Sequence, residues 1–211
     1  RPGQGVWRYT SSHFIDIRER IIANGKMISR KNFYDIFLEI ISSSKHMHSI
    51  FEYLTLVAII YFSTKKTDYS VVEVGMGGRD DATNVFNKST AVFTLITEEH
   101  QKYLGRDIKS IAKNKSGIIK RNGKVFVSSL NADKVIKVLN NAAVKKGNRF
   151  YISEINSYKS KNIFDDMNFL FARFITQKII NNKIEIEKKY LKNLFPARYQ
   201  IVKYKGISIL L

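Results

Sequence analysis

The chain has 211 residues, 44% of them hydrophobic, and 36 Lys and Arg against 18 Asp and Glu give it a formal net charge of +18. This length supports one domain with a sizeable core, and we predict a single domain over residues 1–211. A sequence without cysteine excludes disulfides, thiolate metal sites and cysteine nucleophiles, and it fits a reducing compartment. No apolar run approaches the roughly 18 residues of a membrane span. We therefore expect a cytoplasmic protein without a membrane partner.

Hydrophobic periodicity and turn residues predict helices that alternate with strands. Strands that alternate with helices form parallel sheets through right-handed crossovers. We therefore predict an α/β fold with a mostly parallel β-sheet flanked by helices. In chain order the predicted elements are helices at 33–42 and 49–63, strands at 70–75 and 91–97, a helix capped by Asp107 and ending at 115, a strand at 124–128, a helix at 132–146, a strand at 149–153, helices at 166–180 and 185–194, and strands at 199–204 and 207–211.

The most informative segment is 71–84, VVEVGMGGRDDATN, where an apolar strand runs into three glycines and a polar cluster. The glycines permit a tight turn and a close approach by another molecule. In open α/β sheets, ligands bind outside the carboxyl ends of the strands. Glu73 lies inside the apolar run, where an unpaired carboxylate is costly, so we expect it to meet a cation, preferably a metal, or a strong donor. A purely structural glycine turn is the alternative, because the spacing is not the dinucleotide-binding fingerprint.

This segment resembles the Glu-Val-Gly-Leu-Gly-Gly-Arg-Leu-Asp-Ala-Thr-Asn signature of the folylpolyglutamate synthase and dihydrofolate synthase family, within the Mur ligase superfamily. Other segments resemble the same family in the same order and at similar spacing, so the resemblance spans nearly the whole chain. It implies the fold of the Mur-ligase-like central domain. The further matching segments are TSSHF at 10–14, RERI at 18–21 followed by NG at 24–25, SIFEYLT at 49–55, EH at 99–100 with YLG at 103–105, IAKNKSGIIK at 111–120, Asn168, and FPARY at 195–199.

Two family elements have no counterpart in these residues. The family's phosphate-binding Gly-Lys-Gly-Ser loop is missing, since the chain opens with RPGQGVW, without the lysine and hydroxyl that such a loop uses. The chain also ends at Leu211, where the family continues with Asp-Gly-Ala-His-Asn and a C-terminal domain. We therefore expect a partial central domain without the phosphate loop and the C-terminal ligase domain. A fragment or a decaying gene would give this pattern, and a complementing fragment of the same enzyme is a possible partner.

The resemblance implies a ligase that uses ATP and Mg²⁺. In the family, the γ-phosphate passes to a substrate carboxylate, and an amine then attacks the acyl phosphate to form an amide. The implied substrates are L-glutamate with tetrahydrofolate or dihydropteroate, and the implied state is a monomer. Glu73, His100 and Lys115 correspond to metal ligands, with His100 and Lys115 also placed in catalysis. Lys115 matches a lysine that the family carries as a carbamate; a loop histidine and a solvated helix lysine are the alternatives.

The resemblance also implies substrate contacts. Asn168 and Arg198 match residues that contact ATP, and Arg198 offers a planar, permanently charged fork for phosphate. Asp81 matches an aspartate associated with the pteridine of the folate substrate. His13 and Arg20 lie in segments that border the folate and glutamate pockets. The alternatives are a turn-capping carboxylate for Asp81 and ordinary surface positions for the ATP-contact residues.

Several departures from the family fall at the site. Thr97, Glu98 and Glu99 stand where the family has Gly-Leu-Asp, and Asp80 replaces leucine beside Asp81. The added negative charge weakens a phosphate site. An inactive remnant is therefore a second hypothesis beside the ligase. A basic binding module is a third, supported only by charge; because the lysines are scattered, we do not expect nucleic acid as a partner.

Overall fold

The computed structural model describes residues 5–64, 68–87, 89–153, 163–181, 201–204 and 207–210. The chain divides into two compact units. The first comprises Arg1–Val127 and Asn131–Tyr151, and the second comprises Ser128–Leu130 and Ile152–Leu211.

A four-stranded mixed sheet begins the first unit. Its order is β3-β2-β1-β4, which places β4 at one edge. Strand β1 runs parallel to β4, with Tyr9 opposite Val72, and antiparallel to β2, which is antiparallel to β3. The strands are β1 Val6–Tyr9, β2 Ile21–Ala23, β3 Lys26–Met27 and β4 Tyr69–Val72.

Two long helices, α1 (Arg30–Ser43) and α2 (Ile50–Ser63), pack with this sheet around an aromatic core. Trp7 of β1 is almost fully buried, and its ring centroid lies 5.2 Å from that of Tyr61 and 4.9 Å from that of Phe62. Both helices were predicted from the sequence. Burial of these large rings is the main stabilisation of this part of the fold, because each removes a large apolar area from water.

Helix α2 begins with a capping box. The Ser49 hydroxyl accepts a hydrogen bond from the Glu52 backbone N–H at 3.2 Å, and the Glu52 carboxylate accepts one from the Ser49 N–H at 2.6 Å. These bonds satisfy two N–H groups that a helix end otherwise leaves without partners.

We expect Ser49→Ala to lower the free energy of unfolding by about 1 kcal/mol, because the cap bond to Glu52 is lost. Urea denaturation measures the change. Ser63→Ala is the matched control, since the Ser63 hydroxyl only donates to the Ile60 carbonyl at the other end of the same helix. Equal losses in the two variants would contradict the assigned role of the cap.

A second sheet of the first unit has the order β5-β6-β7, with β5 (Ala91–Phe93) and β6 (Lys124–Val127) parallel. Asn131 ties the segments that follow these two strands together. Its buried side chain accepts from the Ile96 N–H at 2.8 Å and donates to the Thr94 carbonyl at 2.7 Å. The other elements here are β7 Arg149–Ile152, α3 Gln101–Leu104, α4 Ile108–Lys115 and α5 Asp133–Lys145.

The second unit contains helix α6 (Ile163–Ile180) and an antiparallel pair formed by β8 (Ile201–Tyr204) and β9 (Ile207–Leu210). The predicted helix at 185–194 lies outside the described residues. Among the helices that the structure describes, none combines the length and apolar character needed to cross a membrane. The α/β class is confirmed, and the described strands fall into three sheets rather than one, of which the β5–β6 pair is parallel.

Candidate functional site

The carboxylate predicted to mark the site stands just after the end of β4. The Glu73 N–H donates to the Tyr9 carbonyl at 2.9 Å, and the Glu73 Oε2 accepts from the Ser11 N–H at 2.8 Å. A strong donor therefore meets this side chain, as one of the sequence-based alternatives required. The expected burial of this run is wrong: Val71 is 59% exposed and Glu73 is exposed, because β4 is an edge strand among the described strands.

The glycine turn after Glu73 packs closely on the end of α4 and the short 3-10 helix Ser116–Ile118 that follows it. A methyl group at Gly78 would lie 2.7 Å from the Lys115 carbonyl oxygen, and one at Gly117 would lie 2.4 Å from the Arg79 Cα. The Arg79 N–H donates to the Asn114 carbonyl at 3.1 Å. Backbone thus meets backbone at this contact, which requires glycine and fixes the turn relative to α4.

Asp81 braces the turn from within. Its carboxylate accepts hydrogen bonds from the Met76 N–H at 2.9 Å, from the Thr83 N–H at 2.9 Å and from the Thr83 hydroxyl. These contacts match the turn-capping alternative that the sequence left open. The predicted contact with a pteridine stays a prediction.

The predicted metal ligands at the start of α3 and the end of α4 differ in their surroundings. The Lys115 Nζ lies 2.8 Å from the Glu99 Oε1, and the lysine side chain is only 19% exposed against 47% for the glutamate. His100 is exposed and adopts a left-handed backbone with φ of 50°, directly before α3. An ammonium has three donors and no lone pair, so Lys115 in this pair does not fit a metal.

Glu73 does fit Mg²⁺, which is commonly held by one or two carboxylates together with phosphate oxygens and water. Its side chain is exposed, and the described contact engages one of its two oxygens. In the part of the chain that the structure describes, no three His, Asp or Glu side chains group closely enough to hold a metal ion. A metal here would therefore rely on Glu73 and on ligands from the substrate or solvent.

The structure brings His13 and Arg20 together. The Arg20 Nε donates to the His13 Nδ1 at 3.0 Å, and the Arg20 carbonyl accepts from the Thr10 N–H at 2.9 Å. The Tyr9 hydroxyl lies near this arginine and bonds to Thr55 at 3.1 Å, and burial raises the pKa of Tyr9. The two predicted substrate residues thus form one unit beside β1.

A tight turn holds the loop that carries His13. Asp16 caps the 3-10 helix Ile17–Arg20, and the Glu19 carboxylate accepts from the backbone N–H groups of Phe14, Ile15 and Asp16. Hydrogen bonds from the Arg18 guanidinium are the largest cause that lowers the pKa of Asp16, from 3.8 to about 2.

This lowered pKa predicts an acid-sensitive contribution to stability. Because the folded pKa of Asp16 is below the unfolded one, the contribution is present above pH 3.8 and is lost as the pH falls towards about 2. We expect Asp16→Asn to flatten the dependence of the unfolding free energy on pH in that window. Urea denaturation at several pH values measures it, and identical slopes for the variant and the parent would contradict the assignment.

The remaining predicted site residues lie elsewhere. Asn168 is exposed on α6 in the second unit, and Arg198 lies outside the described residues. Their contact with ATP stays a prediction. Sequence reasoning missed Ser11, the donor to Glu73, and Asn114, whose side-chain oxygen is buried without a hydrogen-bond partner among the described residues. The only signal for Asn114 was its place directly before Lys115 in the α4 motif.

The fold and the turn define an α/β protein with a candidate ligand site at the carboxyl end of a parallel strand. A family model described as the Mur ligase middle domain matches residues 21–187. The chain therefore belongs to the Mur ligase middle-domain family, and the resemblance found in its motifs is confirmed.

Individual proteins agree with this assignment. The probable dihydrofolate synthetase of Schizosaccharomyces pombe is 35% identical over 160 residues, which are 74% of this chain and 38% of that protein. The Mycobacterium tuberculosis folylpolyglutamate synthase complexed with ADP and AMPPCP matches with a TM-score of 0.64 and 36% identity, over 72% of this chain and 37% of that one. Escherichia coli FolC in complex with ADP matches with a TM-score of 0.78 and 25% identity, over 95% and 54%. The chain spans less than half the length of the first curated relatives.

Proposed function

We propose that this chain is part of an ATP-dependent ligase that joins L-glutamate to tetrahydrofolate or dihydropteroate through an acyl phosphate. The observation that carries the proposal is the exposed Glu73 carboxylate at the end of β4, beside a glycine turn packed backbone to backbone on α4. The names of the relatives and the nucleotides in their structures support the substrate classes. Cytoplasmic location and a monomeric state belong to the same proposal.

We assign the residues by what each can supply. Glu73 would hold Mg²⁺, which neutralises phosphate charge during transfer. The paired His13 and Arg20 offer a permanent cation for an anionic substrate, and Arg20 is held by its contact with the histidine. Asp81 keeps the turn in shape and would border the pteridine.

We further propose that residues 1–211 belong to one central ligase domain in which Asn168 and Arg198 contact ATP. The family match supports this, because residues 21–187 run through both compact units.

A second candidate is a folded domain without ligase activity. The ion pair between Lys115 and Glu99 favours it, because the lysine then presents a cation where the resemblance implies an anion. Both candidates share the same fold and differ only in turnover.

Substrate-dependent phosphate release separates the two. The purified chain is incubated with Mg²⁺, ATP and glutamate, with either dihydropteroate or tetrahydrofolate, and each component is omitted in turn. Release that requires both the pteridine substrate and glutamate supports the ligase, and comparison of the two pteridines identifies the preferred one. No release from a chain that circular dichroism shows to be folded would support the inactive domain.

A further inference from the structure

The position of Lys115 is at odds with the anionic lysine carbamate that the resemblance implies. Lys115 is the last residue of α4, and its Nζ lies 2.8 Å from the Glu99 Oε1. The lysine is largely covered, whereas the glutamate remains about half exposed. We infer that Glu99 holds Lys115 as an unmodified ammonium in this chain and excludes it from metal binding.

Two features of the first unit favour a cation at this place. The first is the carboxylate of Glu99, which would repel a carbamate at the end of the same lysine, since both groups are anions within contact distance. The second is the helix end itself. The carboxyl end of a helix carries partial negative charge, so it stabilises an ammonium and disfavours an anion.

The chemistry of carbamate formation points the same way. The reaction joins a neutral Nζ to the carbon of CO₂, breaks one C–O π bond and releases a proton from the nitrogen to water. An ammonium has no lone pair for this attack. The ion pair with Glu99 stabilises the ammonium, and therefore opposes both the loss of the first proton and the addition of CO₂.

The partial cover of Lys115 comes from the glycine turn. Gly78 packs against the Lys115 backbone, and the Arg79 N–H bonds to the carbonyl of the preceding Asn114. The turn thereby fixes the backbone from which the lysine side chain extends, so the pair with Glu99 forms from a preset position. Glu99 is accordingly a positioning residue that sets the chemical state of Lys115.

Carbon-13 NMR tests this inference without any need for ligase activity. The full chain is equilibrated with ¹³C-bicarbonate and Mg²⁺, and the carbamate carbonyl resonance is compared among the parent, Glu99→Gln and Lys115→Arg. Lys115→Arg identifies the background from other amines, because its guanidinium keeps a cation beside Glu99 but forms no such carbamate. Circular dichroism checks that all three are folded.

We expect the parent to show only the background and Glu99→Gln to gain a resonance. A resonance in the parent that Lys115→Arg lacks would overturn the inference. No gain in Glu99→Gln would overturn the role given to Glu99. The proposed ligase function is judged separately by phosphate release, so failure of one does not imply failure of the other.

Discussion

Replacing Glu73 with glutamine is expected to reduce pteridine-dependent phosphate release by about a hundredfold or more, since a metal-held charge contributes several kcal/mol to such a transition state. The amide oxygen of glutamine still accepts from the Ser11 N–H, so the contact that orients this side chain is kept. Only the negative charge is lost. The effect therefore reports on cation binding rather than on the fold.

Glu39→Gln is the matched control for this prediction. Glu39 is an exposed carboxylate on α1, and its replacement makes the same change in net charge without touching the turn after β4. We expect its rate to equal that of the parent. A similar loss in both variants, or unchanged release in Glu73→Gln, would exclude Glu73 as the metal ligand.

Gly117→Ala is expected to lower the free energy of unfolding by about 1–3 kcal/mol, the usual cost of overpacking a close contact. The added methyl group would lie 2.4 Å from the Cα and 2.8 Å from the N of Arg79, and backbone atoms cannot move aside as a side-chain tip can. The turn would have to separate from the 3-10 helix after α4. Urea denaturation measures the loss.

Gly75→Ala provides the comparison within the same turn. Its methyl group would meet only the ring of Phe51, 2.6 Å from the Cζ atom, and a ring can rotate or shift. The effect of an added Cβ on the unfolded chain is the same for both variants, so it cancels in the difference. We expect Gly75→Ala to lose less stability than Gly117→Ala, and the reverse order would contradict the backbone contact.

The helices were predictable because their signals are local. Asp107 caps α4 as expected, accepting from the Lys109 and Ser110 N–H groups, and Ser49 opens α2. Caps and apolar spacing depend on residues within one or two turns, which the sequence displays directly. The strands from β4 to β7 were also found, although each ends earlier than predicted.

The three strands before α1 were missed for the opposite reason. They are two to four residues long, too short for a periodic pattern, and β1 alternates only between an exposed Val6 and a buried Trp7 before Arg8 and Tyr9. Pairing with distant β4 defines this strand. Such pairing depends on tertiary structure, so a short run of residues does not reveal it.

The candidate site shows the same division. The glycine turn and Glu73 were visible as a motif, whereas the exposure of Glu73 depends on the place of β4 at the sheet edge. The pairing of Lys115 with Glu99 joins the ends of two separate segments. Charge partners that distant in sequence follow from the packing of the turn on α4, and no spacing rule supplies them.

Transfer of oxygen-18 from substrate to phosphate tests the proposed chemistry most directly. The pteridine substrate is labelled in the carboxylate that receives glutamate, and the phosphate released from unlabelled ATP is analysed by mass spectrometry. If an acyl phosphate forms, one carboxylate oxygen bonds to the γ-phosphorus and leaves with the phosphate when the amide forms. We predict one labelled oxygen in each phosphate released with ligation, and unlabelled phosphate would contradict the proposed ligase.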